Sequence, residues 1–396
     1  MSGEGFRWHP SARLFDAQGR RVRPVAAGAG AVIAPRPAGA VIAPRPAGAA
    51  LVQAMAAGVF RIGGAGPAPV AGFETLTSGS SGVPRRVARS AASWIASFAV
   101  NGERFGIGPA VVVGVPGGVE QSLALYAGIE ALHLGADLHL LEGLRPDRQA
   151  AALAARRVAV LYASPAQLRP LVEAGQVWAD LRLVVVGGSK LDPLLRARLA
   201  KVAPEARLRE FYGAAETSFI ALTDDDSPPE SVGRAYPGVE IDIRAGGRIW
   251  VRSPYLFSGY AGGCAGGDPG AAVWDDGWLS VGEIGHLAGG HLYLAGREGR
   301  MVTVADQNVF PEAVEALLLA QPGVRQAAVL PRPDAARGVV LVAVLQGDAA
   351  LEAAILRAVR ADLGPLRAPK AVIWRQDWPL LPSGKTDLAA LARAVT

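Results

Sequence analysis

Four short apolar runs, AVVVGV (110–115), ADLHLL (136–141), VAVLYA (158–163) and LRLVVVG (181–187), alternate with helix-like stretches at 119–133, 148–156, 165–173 and 191–202. Strands separated by helices of this length read as parallel βαβ units. The fold class expected is therefore α/β, with a doubly wound sheet. The character changes around 238–252, where VEIDIRAGGRIWVRS alternates on both sides of Gly246-Gly247. That pattern reads as a hairpin within a β-rich part. After Gly296 a smaller unit begins. PEAVEALLLAQPG (311–323) reads as a helix ending at a glycine, RQAAVLP and VVLVAVLQ as strands, 349–363 as a helix and AVIWRQ (371–376) as a strand. About a hundred residues of α+β suit an independent lobe. The expected organisation is a large N-terminal domain over 1–296, a hinge at 297–300 and a small mobile C-terminal domain over 301–396.

Upstream, AVIAPRPAG (31–39) is repeated at once as AVIAPRPAG (40–48). Two copies do not make a solenoid. Pro35, Pro37, Pro44 and Pro46 remove backbone donors, so the segment reads as extended or loop. The first subdomain, with only 76 residues before the first Ser/Gly-rich loop, is reduced.

Composition narrows the function classes. The chain has 396 residues, 51% hydrophobic and 19% charged, with a net charge of +5. A basic balance suits polyanionic ligands such as nucleotides. The arginines are scattered, and no dense basic run marks a nucleic-acid groove. The lone cysteine, Cys264, permits no disulfide within the chain and lies among glycines, a poor setting for a nucleophile. The opening MSGEGFRWHP lacks a basic segment followed by an apolar run, and no apolar run approaches a membrane span. A cytoplasmic location with no membrane partner is the expectation.

Four motifs carry candidate chemistry. In the first, Thr77, Ser78, Gly79, Ser80, Ser81 and Gly82 precede Val83-Pro84-Arg85-Arg86. Hydroxyls and N–H groups on glycine-permitted backbone can surround phosphate oxygens, with a cation beyond. A flexible linker has the same composition. It is no Walker A loop, and Gly384-Lys385-Thr386 has Pro379 where the first glycine of one would stand. The second is Phe211-Tyr212-Gly213-Ala214-Ala215-Glu216-Thr217, where a Tyr face can stack on a base and a carboxylate can hold Mg²⁺, or a core Tyr precedes a solvated Glu. The third is Gly277-Trp278-Leu279-Ser280-Val281-Gly282-Glu283-Ile284-Gly285, followed by Gly296-Arg297. A carboxylate there suits ribose hydroxyls and an Arg suits ribose or phosphate, or the two form a surface ion pair. The fourth is Leu381-Pro382-Ser383-Gly384-Lys385-Thr386-Asp387, whose Lys could stabilise a carboxylate attacking a phosphate or be an inert surface residue.

In their order and spacing these motifs resemble the adenylate-forming (AMP-binding) superfamily, which includes acyl- and aryl-CoA ligases, peptide-synthetase adenylation domains and luciferases. GGSKL (187–191) resembles its adenine segment, FYGAAE its Tyr-Gly-x-x-Glu motif, and IWVRSPYLFSGY (249–260), GWLSVGEIG and YLAGR the stretches that follow. NVFPEAVEALLLAQPGV (308–324) resembles the first helix of its C-terminal lobe, and LPLLPSGKTD its catalytic-lysine loop, apart from Trp378 before it. The resemblance spans about Thr77 to Leu388.

The resemblance implies that ATP and a small-molecule carboxylic acid give an acyl-adenylate and pyrophosphate, after which the small lobe rotates and a thiol attacks. Thr77 to Gly82 would hold the β- and γ-phosphates, with Arg85 beside them. Gly188 and Tyr212 would flank adenine, Glu216 would bind Mg²⁺, and Glu283 and Arg297 would reach the ribose. Arg300 falls at the hinge, and Lys385 would bridge the carboxylate and α-phosphate. Three positions depart from the family. Glu283 replaces the usual Asp, Ala215 the usual Thr, and Asp306 a Gly lining the thiol tunnel, where a carboxylate would narrow it. Glu120, in Val119-Glu120-Gln121-Ser122, stands where amino-acid-activating members hold the substrate ammonium, and is equally a helix N-terminal Glu. Gly213 would also border the acid, whereas His133 and His139 read as structural. The expected acceptor is CoA. The alternatives are a carrier-protein phosphopantetheine, with an acyl carrier protein as partner and an amino or aryl acid as substrate, or a degenerate nucleotide-binding protein without ligase activity.

Overall fold

The computed structural model describes residues 5–24, 31–33, 47–62, 69–77, 85–261, 272–304, 307–335, 338–381, 385–393 and 395. The chain forms two compact units. One runs up to Ile241 and resumes at Val251. The other takes Asp242–Trp250 and the described residues from 272 onward.

The first unit is built on a mostly parallel sheet. Its strands lie in the order Arg234–Ala235, Ser218–Leu222, Arg207–Ala214, Leu183–Val186, Val160–Ala163, Val112–Val115, Asp137–Leu140, Leu14–Phe15, Arg21–Val22. The strands from Arg207–Ala214 to Leu14–Phe15 are parallel to their neighbours. Helices Ser122–Leu134, Pro146–Ala155, Pro165–Glu173 and Pro193–Val202 connect them, as the apolar runs require. Three of these helices carry Pro at the first turn, where a missing N–H costs nothing. Leu161, Ala163, Val184 and Val186 pack against Leu168, Leu171, Leu195, Leu199 and the buried Trp178. Strand order reverses at Val112–Val115: its successor Asp137–Leu140 pairs on one side, and Val160–Ala163 on the other.

A second sheet in this unit orders Gly259–Tyr260, Arg86–Arg89, Phe73–Leu76, Phe60–Ile62 and Ala31–Ile33. Phe6 joins Phe60, Phe73, Trp94 and Phe98, with ring centroids 5.3–6.2 Å from its own. His133 accepts at Nδ1 from the Arg7 N–H, and His139 stacks on Phe15 at 4.4 Å.

Of the duplicated segment, expected to be extended or loop, the described residues 31–33 are extended and only Ala47 and Gly48 depart from it. Ala31–Ile33 pairs parallel to Phe60–Ile62, and Ala47 and Gly48 open the helix Ala47–Ala57. Pro35, Pro37, Pro44 and Pro46 lie outside the described residues.

In the second unit, strands Val273–Asp275, Trp278–Ser280, Arg248–Arg252, Glu283–Ala288 and His291–Arg297 lie side by side. The hairpin around Gly246-Gly247 pairs Glu240–Arg244 with Arg248–Arg252. Farther along, Gly338–Gly347 sits between antiparallel Val324–Asp334 and parallel Ala371–Trp374. Leu341, Ala343 and Leu345 face the helices Pro311–Leu319 and Glu352–Arg367 through Val314, Leu318, Ile355 and Val359. Val342 and Val344 face Leu391 of the short helix Leu388–Ala392. The first of these helices ends at Leu319, short of Gly323. Gly323 instead makes the left-handed turn (φ 81°) into the next strand, and its carbonyl accepts from Asp348 N–H.

Candidate active site

The carboxyl ends of the parallel strands in the first unit gather most of its candidate residues. Val186 pairs with Glu210, so Gly188 and Tyr212 each stand two residues beyond the same row of two adjacent strands. Gly188 takes φ 94°, a left-handed conformation that favours glycine. A Cβ on Gly187 would lie 2.2 Å from the Phe211 ring, so this strand end closes onto the aromatic before the Tyr-Gly motif. Tyr212-Gly213 carries a register shift opposite Ser218–Leu222. A Cβ on Gly213 would fall 1.7 Å from the Ser218 carbonyl oxygen, which makes the glycine obligatory for the hairpin.

Glu216 sits at the tip of that hairpin and is 8% exposed. The turn is closed by Thr217, whose Oγ1 accepts from Ala214 N–H at 2.9 Å. Tyr260 Oη donates to Glu216 Oε1 at 2.9 Å, and Phe257 N–H donates to the Glu216 carbonyl at 2.8 Å. Arg85 lies over the Tyr260 ring, 5.7 Å from its centroid. Thr77 and Arg85 close the base of the Ser/Gly-rich loop. Thr77 N–H donates to the Arg85 carbonyl and Thr77 Oγ1 accepts from Arg85 N–H, both at 2.8 Å. Ser78, Gly79, Ser80, Ser81 and Gly82 lie outside the described residues. Thr77, Arg85, Tyr260, Glu216, Gly213, Tyr212 and Gly188 all belong to this one unit.

Glu120 follows the strand at which order reverses, the place where open α/β sheets take ligands. Its carboxylate folds back over Gly118, where a Cβ would approach within 2.3 Å of Oε1. The helix N-cap is the next residue, Gln121, which Gln167 Nε2 contacts at 3.1 Å across the reversal.

The second unit carries the remaining candidates. Glu283 and Arg297 are directly paired across two strands, and Arg297 Nε donates to Glu283 Oε1 at 2.9 Å. Glu283 is buried while Arg297 is half exposed, so the cation holds the longer carboxylate at the strand's start. Arg300 meets Glu315 at 2.7 Å and Glu312 at 3.3 Å, and its Nη2 also donates to the Val329 carbonyl. Burial pushes the Glu312 carboxyl up from its ordinary range, against the pull of Arg300. Lys385 stands in a closed loop. Leu381 N–H donates to the Lys385 carbonyl at 2.8 Å, Asp387 N–H to Pro379, and Trp378 Nε1 to Thr386 Oγ1 at 3.1 Å. The unexpected Trp378 thus fastens the residue after the lysine. Asp306 lies outside the described residues.

Two residues of the Glu216 surroundings escaped the sequence reading. Tyr260 was visible only as the end of a family-like stretch. Arg89 left a fainter signal, a charge at an inward position of the strand Arg86–Arg89, whose alternate residues Val87 and Arg89 are buried.

The arrangement suits Mg²⁺ held together with a nucleotide. Mg²⁺ ordinarily takes one or two protein carboxylates plus substrate phosphates and water, and Glu216 supplies a fixed carboxylate. Among the described residues no three His, Cys, Asp or Glu side chains gather to hold a metal by themselves.

Residues 74–261 match the AMP-binding enzyme family, and 313–385 match the AMP-binding enzyme C-terminal domain. The chain belongs to the AMP-binding enzymes. The uncharacterized acyl–CoA ligase YhfT of Bacillus subtilis is 33% identical over 325 residues, 78% of this chain and 66% of that protein. The indoleacetate–CoA ligase of Aromatoleum aromaticum is 26% identical, over 78% of this chain and 64% of that protein. The chain thus spans about two thirds of these relatives' lengths. Among solved structures, the amide bond synthetase McbA from Marinactinospora thermotolerans superposes with a TM-score of 0.71 at 27% identity, covering 86% of this chain and 76% of the other. The o-succinylbenzoate CoA synthetase MenE from Bacillus subtilis shares the fold, with a TM-score of 0.70 at 21% identity over 81% and 68%. Among the described residues, no helix of this AMP-binding enzyme is long and apolar enough to cross a membrane.

Proposed function

We propose that this chain activates a carboxylic acid with ATP, forming an acyl-adenylate and releasing pyrophosphate, and then transfers the acyl group to a thiol. The observation that carries the reading is the buried, hydrogen-bonded Glu216 on a Tyr-Gly-x-x-Glu hairpin at the carboxyl ends of the parallel strands. In this reading Tyr212 and Gly188 take the adenine, and Thr77 and Arg85 frame the phosphates with Ser78 to Gly82. Glu283 and Arg297 bind the ribose. Mg²⁺ held at Glu216 would offset phosphate charge. Lys385 offers its ammonium to the carboxylate and α-phosphate as negative charge gathers between them. The acid's oxygen bonds to the α-phosphorus, the bond to pyrophosphate breaks, and Arg300 in the 297–300 segment acts as the hinge for the second step.

The relatives named as CoA ligases favour CoA as acceptor, so that thiol sulfur displaces AMP and its proton leaves to solvent. A second reading, favoured by the likeness to McbA, gives the adenylate to an amine. The place of Glu120 at the strand-order reversal supports an acid that itself carries an ammonium group, the substrate expected if the acceptor were a carrier-protein pantetheine.

The test is exchange of labelled pyrophosphate into ATP over a panel of aliphatic, aromatic and amino acids, followed by CoA, a holo carrier protein or an amine. At least one acid supports exchange, and Lys385→Ala lowers it sharply. If no acid does, and Lys385→Ala leaves nucleotide behaviour unchanged, the chain is a nucleotide-binding protein without ligase activity.

A further inference from the structure

Arg89 occupies an inward position of the strand Arg86–Arg89 and is 3% exposed. An apolar side chain would fill that position without desolvating a charge. The guanidinium spends its donors on the backbone around Glu216. Nε and Nη2 both donate to the Ala215 carbonyl, at 3.1 and 2.7 Å, and Nη1 donates to the Tyr255 carbonyl at 2.8 Å. Ser93 Oγ accepts from Nη1 at 3.3 Å.

Ala215 directly precedes Glu216. Tyr255 opens the segment whose Phe257 N–H and Tyr260 hydroxyl both hold Glu216. One side chain therefore grips both pieces of chain that meet at this carboxylate. A lysine has three donors on one nitrogen and cannot span two carbonyls in the way a planar guanidinium does. Burial pulls the Arg89 pKa down to about 9, and the charge of Glu216 works against that fall.

We propose that Arg89 is the positioning residue for Glu216, holding its hairpin tip and the Tyr255–Tyr260 segment in the register that the Mg²⁺–ATP complex requires. This rests on the assignment of Glu216 above. The Ala215 carbonyl takes two of the Arg89 donors, so the backbone directly before Glu216 is held by a side chain.

The test uses Arg89→Lys and Arg89→Gln in the full chain, with thermal unfolding as the check of folding. ATP binding is followed by calorimetry in EDTA and with Mg²⁺, and Mn²⁺ binding in the presence of ATP by electron paramagnetic resonance. A folded variant should lose about tenfold in divalent-ion affinity, the usual effect of removing a group that orients a metal ligand. Binding of ATP in EDTA and the KM for the acid should stay unchanged. Equal losses with and without the metal, or an unaltered divalent-ion affinity, would overturn the proposal. Should neither variant fold, hydrogen exchange on the wild type decides. Amides 213–219 should exchange as slowly as those of Arg86–Arg89 without nucleotide, and fast exchange there overturns it. A wild type that binds no Mg²⁺–ATP removes the functional reading as well, whereas a wild type that binds it beside an unaffected variant removes only the role of Arg89.

Discussion

The hydroxyl of Tyr260 donates to Oε1 of Glu216 at 2.9 Å across 44 residues of chain. The bond joins a short edge strand to a hairpin tip and fixes one carboxylate between them. Tyr260→Phe removes the donor and leaves the ring under Arg85. A hydrogen bond to a charged group contributes about 1.5–3 kcal/mol, so pyrophosphate exchange should fall roughly 10- to 100-fold. Unchanged exchange at saturating Mg²⁺ and at limiting Mg²⁺ would refute the link.

Lys385→Ala should separate two steps. Loss of a charge-stabilising donor lowers rates by about 100- to 1,000-fold, and that loss is expected in adenylate formation. Transfer from a chemically prepared acyl-adenylate should proceed at the parent rate. Comparable losses in both steps would show that the lysine serves more than the attack on phosphate.

Arg300 is mostly buried between Glu312 and Glu315. Arg300→Ala leaves two carboxylates without their cation. Breaking such a buried pair costs about 3 kcal/mol, read as a lower midpoint in urea. Glu312→Gln should restore part of the loss in the double variant, because burial already disfavours the Glu312 charge. No recovery would mean that Glu315 alone carries the pairing.

Glu130 gives a pH signature. It is fully buried and accepts hydrogen bonds from Asn101 at 2.7 Å, from Tyr126 at 3.1 Å and from Tyr162. Burial pushes its carboxyl up from 4.5 to about 7. The folded protein therefore keeps the proton over a range where the unfolded chain releases it. Stability is fully present below pH 4.5 and declines as pH rises through about 7. The span is on the order of 3 kcal/mol. Denaturant unfolding at a series of pH values should show the decline, and Glu130→Gln should flatten it. A slope that survives Glu130→Gln would assign it to another group.

The parallel half of the fold is legible in the sequence because its strands are apolar on both faces and its helices start at Pro or Ser. The same logic fails at the N-terminal side. The helix Ala47–Ala57 begins in an alanine- and glycine-rich stretch with no polar cap, and Leu14–Phe15 is two residues long. Its place beside Asp137–Leu140 comes from tertiary packing alone. The candidate site is legible where the proposed role belongs to the residue itself, as with Glu216 and Lys385. Residues that hold a neighbour, such as Tyr260, Arg89 and Trp378, leave only faint signals, since what they hold is distant in sequence or is bare backbone.

The Leu388–Ala392 helix covers one face of the Gly338–Gly347 strand through Leu391, and Asp387 caps it by accepting from Ala390 N–H at 2.9 Å. The same Asp387 closes the lysine loop through its N–H to Pro379. The Leu388–Ala392 helix is therefore a clasp for the loop that carries Lys385. Leu391→Asp would strip the cover from Val342 and Val344 and loosen the loop that carries Lys385 together, while every candidate residue upstream stays in place.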